Sequence, residues 1–82
     1  MPYSVYIVQC SDGTYYTGIA TDLERRLNEH NHSAKGARYT RARRPVTLVY
    51  TERHPDRSSA QKREYAIKQM PRNKKSALIG KS

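Results

Sequence analysis

The chain has 82 residues, 35% of them hydrophobic, with seven tyrosines and neither Trp nor Phe, which suffices for one small core but not for two. Its net charge of +9, from 16 Lys and Arg against 7 Asp and Glu, argues against a role indifferent to charge and for a polyanionic partner, nucleic acid before an anionic membrane surface. A single cysteine, Cys10, excludes an internal disulfide and a several-thiolate zinc centre, and no segment resembles a signal peptide or reaches membrane-spanning length, so a reduced, cytoplasmic setting is expected.

Residues 3–10, YSVYIVQC, are dense in β-branched and aromatic side chains with both faces largely apolar, the pattern of a central strand. The Asp12-Gly13 pair that follows is a hairpin signal, and a second strand over Tyr15 to Ile19 completes the hairpin. Thr21-Asp22-Leu23-Glu24 then has the form of a capping box, with Thr21 as the cap and Glu24 reaching back to it. The helix it opens should run to about His30 or Asn31. On its wheel Leu23, Arg26, Leu27 and His30 share one side while Arg25 lies opposite, which places Arg26 at the edge of the buried stripe and Arg25 in solvent.

Residues 31–45 show no helical or strand period and read as a basic loop containing Gly36. Residues 46–53, VTLVYTER, form a third strand in which Val46, Leu48 and Tyr50 alternate with Thr47, Val49 and Thr51. After the His54-Pro55-Asp56 break a helix begins near Ser58 or Ser59 and runs to about Met70, where Pro71 stops it. A short terminal helix over Lys74 to Ile79 ends at Gly80. With no repeat, linker or low-complexity tract, the 82 residues read as one α+β domain. Its expected architecture is a three-stranded, mainly antiparallel sheet flanked by helices in the order β-β-α-β-α-α. In the longer of the last two helices the inward stripe holds Ala60, Glu64 and Ile67. A carboxylate facing a sheet is costly unless it is paired or bound to a cation. It is therefore either an ion-pair partner, with Arg26 one option, or a functional group.

These residues resemble the GIY-YIG nuclease superfamily. The first motif stands here as Ser4-Val5-Tyr6 and the second as Tyr16-Thr17-Gly18, with ten residues from tyrosine to tyrosine and a hairpin turn between them. Arg26, eight positions after Gly18, His30, twelve after it, and Glu64 on the later helix match the family's remaining pattern. The likeness extends over nearly the whole chain and is strongest to the small stand-alone bacterial proteins of the superfamily, a group of largely uncharacterised function, through the DLERR, GARYTR and RRPV segments. Each motif is weak alone; the five in order at family spacing are specific.

The resemblance implies metal-dependent hydrolysis of DNA phosphodiesters with little sequence specificity, at branched, damaged or single-stranded sites of the kind met in DNA repair. Glu64 would anchor one Mg²⁺ or Mn²⁺ that keeps most of its waters. Arg26 would clamp the scissile phosphate. Tyr6 is favoured as the water-activating base and Tyr16 as the phosphate-orienting hydroxyl, although the sequence allows the two roles to be exchanged. His30 would bridge a tyrosine to the phosphate or relay a proton. Basic residues of the loop, namely Lys35, Arg38, Arg41, Arg43 and Arg44, would hold the backbone, with Tyr39 stacking on a base. The alternative is a non-catalytic or weakly active nucleic-acid-binding module, for DNA or RNA, that retains the fold. Three departures stand out. Ser4 replaces the first motif's Gly; Ser76 stands where an asparagine is often found, with Asn73 out of step; and no second domain is evident, so a protein partner or a structured substrate is expected to supply target choice.

Overall fold

The computed structural model describes residues 2–33 and 35–80. Ala34, within the segment expected to be loop, and positions 1, 81 and 82 lie outside the described residues. In chain order the elements are β1 (Tyr3–Gln9), β2 (Tyr15–Ala20), α1 (Leu23–His32), α2 (Arg38–Arg41), β3 (Thr47–His54), α3 (Arg57–Lys68) and α4 (Arg72–Gly80). The strands form one antiparallel sheet in the order β2-β1-β3. The expected β-β-α-β-α-α order holds, with α2 an added single turn.

β1 is central because both its faces are needed. Val5 and Ile7 join Ala60 and Ile67 of α3 in one core, with Ile19, Val49 and Tyr50 packed around them. Tyr6 and Val8 join Cys10 and Val46 in the other, against Leu23 and Leu27 of α1. The Asp12-Gly13 turn works as its composition dictates. Gly13 takes a left-handed φ of 85°, and the Asp12 carboxylate accepts from both the amide and the hydroxyl of Thr14.

Four local expectations change. The α1 cap is Asp22, whose carboxylate accepts from the Arg25 amide, so the cap lies one residue beyond Thr21. α3 begins at Arg57, capped by Asp56, and ends at Lys68; α4 begins at Arg72. The strict alternation of the third strand is broken by a bulge. Ile7 pairs with Tyr50 but Val8 with Leu48, so Val49 is the extra residue and joins Tyr50 in the α3-side core while Val46 and Leu48 stay on the α1 side. Finally, Ala37 to Arg43 turns back on itself through α2 instead of running as open loop.

Candidate active site

Strand register and helix period together decide which side chains meet. Tyr6 sits directly opposite Gly18 across the β1–β2 pair, and Tyr16 opposite Val8, so Tyr6 and Tyr16 are diagonal neighbours on the face that α1 covers. On α1, Arg26 and His30 are four residues apart and project towards that face. The wheel's distinction is visible in exposure: the side chain of Arg25 is 70% exposed and that of Arg26 28%, while His30 is fully buried.

The Tyr6 hydroxyl is the common neighbour of the group. It lies 2.7 Å from His30 Nε2. The Arg26 guanidinium stands close enough to draw its pKa down, while the nearby Tyr16 and Glu64 push it up. Burial outweighs the arginine, and the Tyr6 pKa is pushed up to about 12. Tyr16 is only half-buried; its ring lies edge-on to His30 with centroids 5.4 Å apart. Burial also drives the His30 pKa down to about 4, helped by the positive charge of Arg26, so the imidazole is neutral at physiological pH. On its far side His30 Nδ1 lies 2.8 Å from Thr40 Oγ1.

Arg26 does not pair with Glu64. Its guanidinium donates to Glu29 at 3.1 Å and to the Lys35 carbonyl at 2.9 Å, and Glu29 also meets Arg25 at 3.5 Å. Glu64 is 22% exposed at its side chain and its ion-pair partner is Lys68, one helical turn on, at 3.3 Å. The Lys68 ammonium in turn stands 6.0 Å from the Tyr16 ring centroid. Among the described residues no three His, Cys, Asp or Glu side chains gather as a metal site. A one-carboxylate donor set suits a hard, strongly hydrated cation that completes its shell with water and phosphate, and it does not suit zinc.

The basic segment divides in two. Arg44 is spent inside the fold: it donates to the carbonyls of Glu29, His30 and Ser33 at the end of α1. Arg43 pairs with Asp12 at 3.0 Å, donates to the Tyr39 carbonyl and lies over the Tyr39 ring at 3.9 Å. Tyr39 also stacks on Tyr16, with centroids 6.0 Å apart and planes 26° from parallel. An incoming base would therefore have to displace Arg43 from that ring or stack beyond it. Lys35, Arg38 and Arg41 are exposed. Ser76 lies away from the tyrosine–histidine cluster, 3.4 Å from the Tyr15 hydroxyl, and Asn73 is exposed on α4.

Three residues of the site gain their roles only in the fold. Thr40 is a fully buried threonine among arginines, placed by α2, which the composition of the segment hides. Gly18 is required because a Cβ there would fall 2.5 Å from the Tyr6 hydroxyl. Gly36 lets its segment lie on α1, where a Cβ would fall 2.6 Å from the Glu29 carbonyl.

Comparison with known proteins gives the family and the fold. Residues 2–76 match the GIY-YIG catalytic domain. A UPF0213 protein of Desulfotalea psychrophila is 67% identical over 75 residues, covering 92% of this chain and 68% of that one. A UPF0213 protein of Halobacterium salinarum is 56% identical over 75 residues, covering 92% and 96%. Among solved structures, a protein of E. faecalis determined by solution NMR is 41% identical with a TM-score of 0.68, over 99% of this chain and 85% of that one. The UPF0213 protein of Bacillus halodurans, also solved by NMR, is 45% identical with a TM-score of 0.63, over 98% and 84%.

Proposed function

The chain belongs to the GIY-YIG catalytic domain family, and from that premise we propose that it is a divalent-metal-dependent endonuclease that hydrolyses DNA phosphodiesters at structured, damaged or single-stranded sites. The observation that carries the reading is the grouping of Tyr6, Tyr16, Arg26 and His30 on the face that α1 covers, with the Glu64 carboxylate near enough to Tyr6 to push its pKa up. A core this small rarely gathers so many polar groups without a use for them.

Unequal burial favours the exchanged tyrosine roles. Tyr6 is 1% exposed, and its pKa near 12 opposes proton uptake from water through a phenolate. Tyr16, half-buried beside Lys68 and on the same face, is the better base. Tyr6 then holds Arg26, which meets the phosphate and stabilises charge gathering on its oxygens. His30 supports Tyr6 from within. Glu64 would hold the Mg²⁺ or Mn²⁺, which supplies Lewis-acid stabilisation and orients water when bound. Lys35, Arg38 and Arg41 extend the electrostatic footprint along the backbone. Target choice by a protein partner, a role in DNA repair and a cytoplasmic setting belong to the same proposal; among the described residues no helix is long and apolar enough to cross a membrane.

A second reading, a binding module without useful turnover, draws on the single carboxylate and the raised Tyr6 pKa. The deciding experiment incubates plasmid, single-stranded and branched DNA with the protein and Mg²⁺ or Mn²⁺, beside Arg26→Ala and Glu64→Ala. Metal-dependent cutting that both variants lose supports the nuclease. Equal background nicking by all three sinks it, and retained binding without cutting by the wild type favours the module.

A further inference from the structure

Like His30, Thr40 is a fully buried polar group of the site. Its hydroxyl has one proton and two strong neighbours. It donates to the Ala37 carbonyl at 2.9 Å, a group that can only accept, and it lies 2.8 Å from His30 Nδ1. With its proton held by the carbonyl, the Thr40 oxygen can only accept from the ring. That places the imidazole proton on Nδ1 and leaves Nε2, 2.7 Å from the Tyr6 hydroxyl, as an acceptor. The Ala37 amide also points at Nδ1, at 3.4 Å; as a fixed donor it favours the other tautomer, but the contact is long beside the 2.8 Å one to Thr40.

We infer that Thr40 is a positioning residue of the site, fixing the tautomer of His30 and through it the direction of the Tyr6 hydroxyl proton. The bonds then run one way: Tyr6 donates to His30, His30 to Thr40, and Thr40 to the backbone of α2. The Tyr6 proton points into the protein, which leaves the lone pairs of its oxygen free to face the nearby positive charge of Arg26. The opposite tautomer would turn the Tyr6 proton outward against the charge of Arg26 and take the Thr40 hydroxyl from the Ala37 carbonyl, which would keep the Thr40 and Arg41 amides. A partner that fixes a histidine tautomer and ring orientation is typically worth about 10–100-fold. The importance of this direction for cleavage rests on the nuclease reading above; the tautomer itself does not.

Two measurements keep those claims apart. Long-range ¹H–¹⁵N correlation on the intact chain reads the His30 tautomer directly, and it should show the proton on Nδ1 in the wild type and in Thr40→Ser. Thr40→Val, which keeps the shape and loses the hydroxyl, should shift the population towards Nε2–H. In the cleavage assay Thr40→Val should lose about 10–100-fold in kcat with DNA affinity unchanged, and Thr40→Ser should recover most of it. A wild-type proton on Nε2 overturns the inference even if Thr40→Val proves too unstable to study. So does a folded Thr40→Val whose tautomer and cleavage match the wild type. If no form of the protein cuts DNA, the nuclease reading falls while the tautomer measurement still decides the role of Thr40.

Discussion

The Tyr6 ring lies across Gly18 so closely that a Cβ on the glycine would meet Tyr6 Oη at 2.5 Å and Cζ at 2.7 Å. The two residues are direct partners across β1 and β2. The motif glycine is therefore a space requirement: only a bare backbone lets the buried tyrosine reach His30. Gly18→Ala should destabilise the fold by about 1–3 kcal/mol, the cost of overpacking a close site, and should break the Tyr6–His30 contact. Urea unfolding and the nuclear Overhauser contacts between the two rings check both. Unchanged stability with the contact intact would mean that the strands part at little cost.

His30 makes stability depend on pH in a defined window. The unfolded chain takes up the imidazole proton near 6.5, whereas the buried ring does so only near 4. As pH falls through that window the unfolded state gains a proton that the folded state lacks, so stability is lost, by on the order of 3 kcal/mol. The contribution is full above about pH 6.5 and gone below about pH 4. Asp12, Glu29 and Asp56, whose pKa values are lowered chiefly by hydrogen bonds from Thr14, Arg26 and Ser59, also lose their contribution on acidification, but beginning lower, near the ordinary carboxylate range. Denaturant unfolding between about pH 7.5 and 4.5 should therefore show a steep decline in the wild type and a much shallower one in His30→Gln. Parallel declines would show that the ring is not held neutral.

The arginines of the basic segment should separate into two phenotypes. Removing Arg44 strips a charged donor from three carbonyls at the end of α1, and Arg44→Ala should cost about 1–3 kcal/mol of stability. Arg38→Ala and Arg41→Ala remove exposed cations and should leave the melting temperature within a degree or two. Each should also lower the slope of log binding constant against log salt by about one. Fluorescence-anisotropy titration of DNA at several salt concentrations gives the slope. If Arg44→Ala keeps full stability and Arg38→Ala leaves the slope untouched, the division is wrong.

The sequence made legible whatever local period controls. Arg26 was separable from Arg25 because a ten-residue helix has definite sides, and β1 was identifiable as central because apolar residues on both faces need two cores. Glu64 was identifiable as anomalous by the same logic. What depended on register or on distant partners was hidden. The bulge at Val49 follows from how β3 meets β1, and no alternation within β3 announces it. Thr40 gains its meaning from His30, ten residues away. Arg43 and Arg44 looked like free charge because Asp12 and the end of α1 reach them only in the fold. Thr21 and Asp22 are both sound capping residues, and the structure selects the second.

Glu64 offers the sharpest separation of chemistry from stability. Its ion-pair partner is Lys68, at 3.3 Å, with that side chain 47% exposed; such surface pairs contribute under about 1 kcal/mol. A carboxylate kept only to neutralise a neighbour would thus be cheap to remove. Glu64→Gln should leave the unfolding midpoint nearly unchanged, and Tyr6, relieved of a nearby negative charge, should ionise slightly more easily. If the carboxylate holds a cation whose Lewis acidity is worth several kcal/mol in the transition state, the same change should cost about 10²–10³-fold in the metal-dependent cleavage rate. Paramagnetic broadening by Mn²⁺ gives a readout independent of turnover: amides around Glu64 on α3 should broaden in the wild type and not in Glu64→Gln. Equal broadening in both proteins would place the ion elsewhere. A large stability loss in Glu64→Gln would mark the carboxylate as a structural partner instead.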